Sequence, residues 1–254
     1  MRKNIRVIPV LLSDSEGSLV KTRKFKDPVY IGDPFNAVKI FNEKEVDELI
    51  YLDITASVQK RKPNLSYISE LASECFMPLC YGGGITTIEE IKAILKAGVE
   101  KVSLNASNFS NINLLREGAE KFGSSAMVAG IDVKTNLFGK HYVYNHADKK
   151  LTNHTPAEFA AYLAQNGAGE ILLNSVDRDS AMEGYDTALI KSVSQAVNVP
   201  LIVCGGAGKI TDFKTALDAG ASALAAGSMF VFQGKHKAVL INYPNQKELK
   251  NSTT

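Results

Sequence analysis

The sequence predicts a single α/β domain, a closed (β/α)8 barrel built from two similar half-barrels. The support is a length of 254 residues, a regular alternation of strand-like and helical patterns, and an internal repeat. Gly82 lies 123 residues before Gly205, and Glu48 lies 122 residues before Glu170, each at a matching strand end or strand start. Both offsets are close to half the chain, which indicates two facing halves. The alternative is that any α/β chain has glycine turns before its helices.

Eight apolar runs are predicted as the strands of a TIM barrel. Nearly continuous apolar runs are typical of parallel strands that are covered on both faces. In chain order they are Ile5–Leu12, Glu48–Asp53, Pro78–Tyr81, Lys101–Asn105, Ala126–Asp132, Glu170–Asn174, Pro200–Cys204 and Ala223–Gly227.

Helical patterns separate these strands, and Asp33 followed by Pro34 is typical of a helix start. The helices are predicted at 33–42, Asn64–Cys75, Thr87–Lys96, Ile112–Phe122, Pro156–Asn166, Asp186–Val197 and Thr211–Asp218. The polar segment 13–31 is long enough to be a mobile active-site loop, and 141–144 alternates like a small hairpin. Residues 233–254 are predicted to be an irregular tail of one domain that spans 1–254.

Composition argues against several classes of function. A net charge of +2 gives no indication of a nucleic acid or membrane partner, and no apolar stretch is long enough to span a bilayer. Cys75, Cys80 and Cys204 lack metal-type spacing, which favours reduced thiols in a cytoplasmic protein. The histidines also lack metal spacing and are expected to be solvated: His141, His146, His154 and His236. We predict no metal and no cofactor.

Function in barrels of this kind lies at the carboxyl ends of the strands. Glycine turns there present backbone N–H groups at helix starts, where anions bind. Two such turns in one chain suggest a ligand with two phosphate groups. The residues predicted to bind phosphate or substrate are Gly84, Asn105, Asp179, Gly205, Gly206, Gly227 and Ser228.

Asp132 is the candidate for proton transfer, because it ends an otherwise apolar strand where packing gives no reason for a carboxylate. From spacing alone, a helix cap or a salt-bridged strand end is the alternative. At the opposite end of the barrel, four charges begin strands one, two, four and six: Arg6, Glu48, Lys101 and Glu170. They are either a salt-bridge plug that only stabilises the fold or a gate for a small polar molecule. The residues alone favour the plug.

Six longer stretches form a more specific pattern. They are DELIYLDIT (47–55), GGGI (82–85), KAGVEKVSLN (96–105), GAGEILLNSVDRD (167–179), GYD (184–186) and CGGAGK (204–209). Together they resemble the HisF family, the cyclase subunits of imidazole glycerol phosphate synthase, over nearly the whole chain. The related HisA isomerases share the half-barrel repeat, but DELIYLDIT and GAGEILL are similar to HisF.

The resemblance implies a lyase activity and a partner. In this family a HisH-type glutaminase docks on the bottom of the barrel and makes ammonia from glutamine. Ammonia crosses the barrel and attacks a bisphosphorylated ribulosyl-formimino-aminoimidazole-carboxamide ribonucleotide. The products are imidazole glycerol phosphate and an aminoimidazole carboxamide ribonucleotide.

The resemblance also implies roles for the residues singled out above. The four charges at the strand starts match the family's ammonia gate, in place of a plain plug, and Asp132 matches one of two general acid–base aspartates. One phosphate site is implied at Gly84 and Asn105. The other is implied at Gly205, Gly206 and Ser228.

The sequence departs from the family pattern in three places. Leu12 stands where the family has the other aspartate, and Asp14 follows two residues later in a longer loop. Ser180 and Ala181 stand where the family has Gly-Thr. The loop 21–34 is instead similar to that of HisF paralogues from surface-polysaccharide gene clusters. Those paralogues are thought to supply ammonia, with a HisH-like partner, to a separate enzyme that amidates a sugar.

Three functions therefore compete. The first is an ammonia-receiving HisF-type barrel that supports sugar amidation with weak or no cyclase activity. Loss of one of two proton-transfer groups, which costs about 10²–10⁴ in rate, favours it. The second is a genuine cyclase of histidine biosynthesis in which Asp14 or water substitutes for the missing aspartate. The third is a non-catalytic scaffold that docks and activates the glutaminase.

Overall fold

The computed structural model describes residues 5–234 and 236–252, which form a barrel of parallel strands surrounded by helices. The strands are β1 (Arg6–Ser13), β2 (Leu19–Arg23), β3 (Lys26–Gly32), β4 (Leu49–Asp53), β5 (Leu79–Gly82), β6 (Lys101–Leu104), β7 (Met127–Thr135), β8 (His141–Asn145), β9 (Lys150–Leu151), β10 (Glu170–Ser175), β11 (Leu201–Cys204), β12 (Ala223–Ala226), β13 (Phe232–Gln233) and β14 (Ala238–Val239).

The helices pack on the outside of this barrel. They are α1 (Pro34–Glu43), α2 (Leu65–Glu74), α3 (Ile88–Lys96), α4 (Ala106–Ser110), α5 (Ile112–Phe122), α6 (Pro156–Gln165), α7 (Thr187–Ser194), α8 (Thr211–Asp218), α9 (Ser228–Val231) and α10 (Gln246–Ser252).

The barrel closes because its eight strands pair in one continuous parallel ring. The order is β1, β4, β5, β6, β7, β10, β11 and β12, and β12 pairs back to β1. The predicted (β/α)8 barrel is confirmed. All eight carboxyl ends therefore lie on one face, which we call the top, and the strand starts lie on the bottom.

Side chains of the barrel strands form two separate apolar layers. Successive residues of a strand point to opposite faces, so Val7 and Leu11 of β1 pack under the helices while Ile8 and Val10 fill the barrel interior. The interior layer also contains Ile50, Cys80, Val128, Leu172, Ile202, Ala223 and Ala225. The lumen between bottom and top is thus lined mostly by small and medium apolar side chains.

Local capping signals place the helices where the sequence predicts them. The Asp33 carboxylate accepts a hydrogen bond from the Asn36 amide, and Pro34 occupies the first turn of α1. The Thr87 hydroxyl and the Glu90 carboxylate form a reciprocal capping box at the start of α3. These contacts fix the direction in which each helix leaves the top of the barrel.

The half-barrel repeat has a steric basis at its glycines. Gly83 has φ +127°, and a Cβ there would lie 2.5 Å from the Asp53 carbonyl oxygen. Gly205 has φ +91°, and a Cβ there would lie 2.5 Å from the Ser175 carbonyl oxygen. Gly83 and Gly205 are 122 residues apart, and so are Asp53 and Ser175, the residues whose carbonyl oxygens they approach. The two halves therefore bring the chain equally close to the preceding barrel strand.

The segment after β1, which its polar composition predicts to be a loop, is a β-hairpin. Strands β2 and β3 pair with each other, and Leu12 at the end of β1 pairs with Val20. Lys21 and Thr22 are only 4% and 7% exposed. The first four residues of β2, from Leu19 to Thr22, are all buried although the segment carries several charged residues.

Two other segments complete the fold. The predicted hairpin near 141–144 is present, because β7 extends beyond the barrel and pairs with β8. The tail is more ordered than predicted: β13, β14 and α10 form in it, and the Tyr243 hydroxyl donates to the Val7 carbonyl at 2.8 Å. No helix in the described ranges is long and apolar enough to cross a membrane.

Candidate functional site

One cavity opens at the top of the barrel and collects the residues predicted there. Its walls are the ends of the barrel strands, the β2–β3 hairpin and the loop that follows β8. The lining includes all eight residues predicted for the top face: Gly84, Asn105, Asp132, Asp179, Gly205, Gly206, Gly227 and Ser228. Closure of the barrel brings them together, and their chemical roles stay predictions.

Asp132 is a buried carboxylate held by two neutral donors. The Asn105 amide donates to Oδ2 at 2.8 Å, and the Asn174 amide donates to Oδ1 at 3.2 Å. Burial raises the pKa of Asp132 to about 6, although these two hydrogen bonds favour the charged form. A carboxyl group with this pKa can both accept and release a proton near neutral pH.

The glycine turns expose backbone to the cavity at two opposed places. A Cβ on Gly84 would lie 2.3 Å from the Arg61 carbonyl oxygen, and one on Gly206 would lie 2.2 Å from the Gly184 carbonyl oxygen. Both glycines have positive φ, +70° and +108°. No other residue fits these turns without a shift of the backbone, and both glycines line the cavity.

The β2–β3 hairpin is held over the cavity by residues that follow β10. The Thr22 hydroxyl donates to Asp179 at 2.9 Å, and the Ser180 hydroxyl donates to the Thr22 carbonyl at 2.6 Å. The Ser180 oxygen also lies 2.7 Å from the Ser228 hydroxyl oxygen. The hairpin is thereby connected to one predicted phosphate turn.

Lys21 is a cavity residue that the sequence reasoning missed. Its ammonium donates to the Val10 carbonyl at 2.7 Å, and burial lowers its pKa to about 8. A Cβ on Gly227 would lie 2.3 Å from the lysine nitrogen. The available signal was that Lys21 directly follows the apolar pair Leu19-Val20. A lysine that faces inward at this position points at the barrel mouth.

Four charged side chains form a closed ring at the bottom of the barrel. Arg6 contacts Glu48 at 2.6 Å and Glu170 at 2.8 Å, and Lys101 contacts the same two carboxylates at 3.0 Å and 3.2 Å. Glu48 is 2% exposed. Each charge has two partners of opposite sign, and the ring lies directly below the apolar lumen. This arrangement fits both a stabilising plug and a gate.

Comparison with known proteins identifies the family. A family model described as "Histidine biosynthesis protein" matches residues 6–237. The Pseudomonas aeruginosa protein named "Putative imidazole glycerol phosphate synthase subunit hisF2" is 51% identical over 245 residues, which cover 96% of this chain and 97% of that protein. The chain belongs to the HisF family.

Other HisF relatives fall into two groups. A Vibrio vulnificus protein named "Putative imidazole glycerol phosphate synthase subunit hisF3" is 49% identical over 97% of this chain and 95% of its own length. An Alkaliphilus metalliredigens protein named "Imidazole glycerol phosphate synthase subunit HisF" is 41% identical over 89% of each chain. The chain is thus a HisF-type synthase subunit, with higher identity to the relatives named hisF2 and hisF3 than to the Alkaliphilus metalliredigens relative named HisF.

The departures from the HisF pattern have clear positions in the structure. Leu12 lines the cavity near the end of β1, where the pattern has an aspartate. Asp14 instead accepts hydrogen bonds from the Glu16 and Ser18 amides, both at 3.0 Å, in the turn before the hairpin. The Asp14 carboxylate is thus engaged in hydrogen bonds within its own turn, and Asp14 lines a pocket separate from the top cavity.

Ser180 occupies a backbone conformation that favours glycine, with φ +56°. This explains why a glycine stands at this position in the HisF pattern. The serine hydroxyl makes the two contacts with the hairpin and with Ser228 that a glycine lacks. Serine is therefore less favourable than glycine for this backbone conformation, but its hydroxyl adds a connection across the top of the cavity.

Two of the four histidines are not solvated as expected. His141 Nε2 lies 3.1 Å from Asp186, whose carboxylate raises the pKa of the imidazole. His146 lines the cavity. His154 and His236 are exposed, as predicted. Burial raises the pKa of the Cys204 thiol to about 12, which makes it a poor nucleophile at neutral pH.

Proposed function

We propose that this chain is the ammonia-receiving barrel of a glutamine amidotransferase complex. A HisH-like glutaminase docks on the bottom face, and ammonia passes the four-charge ring and leaves through the top cavity. The ammonia is used by a third enzyme that amidates a surface-polysaccharide sugar. The chain's own cyclase activity is weak or absent. The observation that carries this proposal is the complete ring at the bottom beneath a cavity in which Leu12 faces the site that needs a second carboxylate.

The bottom half of the barrel supports passage of ammonia. The ring pairs Arg6 and Lys101 with Glu48 and Glu170 and neutralises all four charges. Above it the lumen is lined largely by apolar side chains such as Ile8, and the buried Ser103 shares the inward face of β6 with Lys101 and Asn105. An apolar lumen disfavours ammonium, because burial of an unpaired charge is costly, and admits neutral ammonia.

The top of the barrel supports loss of the cyclase reaction. Asp132 remains and has a pKa suited to proton transfer. The apolar Leu12 side chain cannot exchange a proton, and Asp14 is engaged in its own turn. Removal of one of two general acid–base groups lowers a rate by about 10²–10⁴. The relatives named hisF2 and hisF3 are 51% and 49% identical to this chain, against 41% for the relative named HisF.

The cavity supports binding of a phosphorylated small molecule. The turns at Gly84 and at Gly205-Gly206 place accessible main chain on opposite sides of it. Lys21 adds a positive charge in the same cavity. Retention of these groups beside an incomplete proton-transfer pair fits a barrel that binds its ligand without converting it.

A cyclase assay with ammonium salt tests the proposal. The purified barrel is expected to turn over the ribulosyl substrate far below the usual kcat range of about 1–10³ s⁻¹. Leu12→Asp should raise the rate, and Leu12→Asn, which has a similar shape and no acid, should not. A normal rate in the unmodified chain would instead identify a histidine-pathway cyclase.

A second experiment tests the partner and separates the enzyme from a scaffold. Co-purification of a HisH-like glutaminase, and of a sugar-amidating enzyme, is expected. Asp132→Asn should then slow formation of the amidated product if the top of the barrel contributes to transfer. Unchanged transfer with this variant would favour a scaffold that only docks and activates the glutaminase.

A further inference from the structure

A histidine joins two elements at the top of the barrel, and the proposed ammonia route does not use it. His141 is the first residue of β8, and its Nε2 lies 3.1 Å from Oδ2 of Asp186. Asp186 ends the stretch between β10 and α7, which we call the β10–α7 segment (176–186). Its carboxylate also accepts a hydrogen bond from the Leu189 amide at 3.0 Å, which caps α7. The pair therefore connects the β7–β8 hairpin with the start of α7.

The β10–α7 segment carries contacts on two sides of the top cavity. The Arg178 guanidinium donates to the Gly184 carbonyl at 3.0 Å, and the Gly184 amide donates to the Gly206 carbonyl at 2.8 Å. Asp179 and Ser180 of the same segment hold the β2–β3 hairpin over the cavity. A change in how firmly the segment is held thus affects both the Gly206 turn and the hairpin.

A second contact joins the same two elements through a donor that does not titrate. The Thr135 amide donates to Oδ2 of Asp177 at 2.7 Å. Thr135 pairs with His141 across the β7–β8 hairpin, so the two contacts lie side by side. A backbone amide keeps its proton over the physiological pH range, whereas an imidazole does not. Of these two donors, only His141 therefore changes its charge near neutral pH.

The surroundings of His141 favour its protonated form. The hydrogen bond with Asp186 raises the pKa of the imidazole above its usual value, and the charge of Asp177 adds to this, while burial and the Arg178 guanidinium oppose it. Because the folded pKa lies above the unfolded value of about 6.5, the extra stabilisation from the charged contact is complete below about pH 6.5. It is lost as pH rises through the folded pKa. The imidazole is 27% exposed, so a proton reaches it directly from solvent.

Other charged groups on the elements packed against β8 are engaged elsewhere or exposed. The Lys134 ammonium on β7 lies over the Tyr144 ring, 3.7 Å from its centroid. Glu158 on α6, which packs against β8, accepts a hydrogen bond from the Thr155 hydroxyl at 2.6 Å. The lysines that precede β8 or lie in β9 are exposed: Lys140 and Lys150. The two carboxylates and the guanidinium named above therefore set the charge state of the imidazole.

We propose that His141 is a pH-sensitive latch, whose protonated imidazole holds the β10–α7 segment firmly and so keeps the β2–β3 hairpin over the top cavity. The neutral imidazole still donates from Nε2 in one tautomer, so loss of the proton removes the charge of the contact and weakens it without breaking it. The hairpin is then held more firmly at lower pH. The inference goes beyond the proposed function, because it does not depend on the ligand, the glutaminase or the ammonia route.

Hydrogen exchange followed by NMR tests the latch in the full chain. The reporters are the amides of Gly184 and Phe25, both of which donate hydrogen bonds in this network. Their protection, corrected for intrinsic exchange rates, is compared at about pH 5.5 and about pH 8.5. Asp132 and Lys21 also titrate in this range, so the decisive quantity is the part of the change that His141→Gln removes. That part should be about two- to fivefold, with higher protection at the lower pH, as expected for a partly exposed ion pair.

Two further variants complete the test. Asp186→Asn keeps a side chain that caps α7 but removes its charge, and should abolish the same pH-dependent part and lower the pKa of His141 in an NMR titration. His154→Gln, at an exposed histidine, is the control and should leave the pH dependence unchanged. If the pH dependence were the same in His141→Gln as in the unmodified chain, the latch would be overturned. The ring, the top cavity and the ammonia route would then stay as proposed.

Discussion

At the bottom of the barrel four charges neutralise one another, whereas at the top one carboxylate is held by neutral amides. Glu48 and Glu170 each contact both Arg6 and Lys101. Asp132 accepts its hydrogen bonds from asparagine side chains, and burial raises its pKa. The bottom is therefore a satisfied network, and the top keeps a group whose charge can change.

The difference indicates that stability and chemistry are divided between the two ends. In a ring where every charged side chain has two partners of opposite sign, the ion pairs offset the cost of burying the charges. Such a ring stays closed unless something displaces a partner. A buried carboxylate without a cation is unfavourable for folding, and its retention points to function. Three predictions follow this contrast from the largest expected effect to the smallest.

The ring is tested most strongly by Glu48→Gln. This variant removes the negative charge between Arg6 and Lys101 and leaves Glu170 to balance both. Breaking a buried ion pair costs about 3–5 kcal/mol, and we expect about 3 kcal/mol because Arg6 is 27% exposed. Urea unfolding measures the change in the free energy of unfolding.

An exposed ion pair supplies the control for this variant. Glu117 and Lys121 lie 3.9 Å apart on α5 and are about half exposed. Glu117→Gln should change the free energy of unfolding by less than about 0.5 kcal/mol. If Glu48→Gln were as mild as this control, the ring would not be a satisfied network.

The top is tested by the pH dependence of Asp132→Asn. The folded pKa of about 6 lies above the unfolded value of about 3.9, so the stabilisation from protonated Asp132 is complete below pH 3.9 and is lost as pH rises through 6. Asp132→Asn should therefore match the unmodified chain near pH 4. It should be about 2 kcal/mol more stable at pH 7.5, after an allowance for one weakened amide contact.

Unfolding curves at several pH values measure this difference. Asp218→Asn, at an exposed site on α8, is the control for replacing a carboxylate outside the cavity. A stability difference for Asp132→Asn that stays constant from pH 4 to 7.5 would mean that the Asp132 pKa is not raised in the folded chain.

The smallest effect concerns the connection between the hairpin and the top cavity. Ser180→Ala removes both hydroxyl contacts and keeps the unfavourable φ of +56°, so it should weaken the hairpin by about 1 kcal/mol. Ser180→Gly removes the same contacts but relieves the backbone, and should lie close to the unmodified chain. Hydrogen exchange of the Lys21 and Thr22 amides measures this, and equal loss of protection in both variants would contradict the role of φ.

Much of the fold was predictable because its signals are local. An apolar run followed by Asp33 and Pro34, or a Thr87–Glu90 capping box, marks where a strand ends and a helix starts without reference to the rest of the chain. The eight predicted top-face residues shared a cavity because parallel strands place their carboxyl ends on one face. The family resemblance was predictable for the same reason, since its motifs are continuous stretches.

Other features depend on residues that only barrel closure brings together. The sequence predicts a loop in place of the hairpin because the Thr22–Asp179 contact that anchors the hairpin joins residues 157 positions apart. The Lys21 ammonium donates to the Val10 carbonyl of β1, and the Phe25 ring of the hairpin packs against His146, which lies far along the chain.

The sequence by itself determined the order of the eight barrel strands and of the seven helices predicted between them, the glycine turns and the absence of a second aspartate at Leu12. The tertiary structure decided which charges neutralise one another and which polar groups remain buried without a matching charge. The physical reason is that burial and Coulomb interactions depend on distances between elements, whereas strand patterns and helix caps depend on neighbours along the chain.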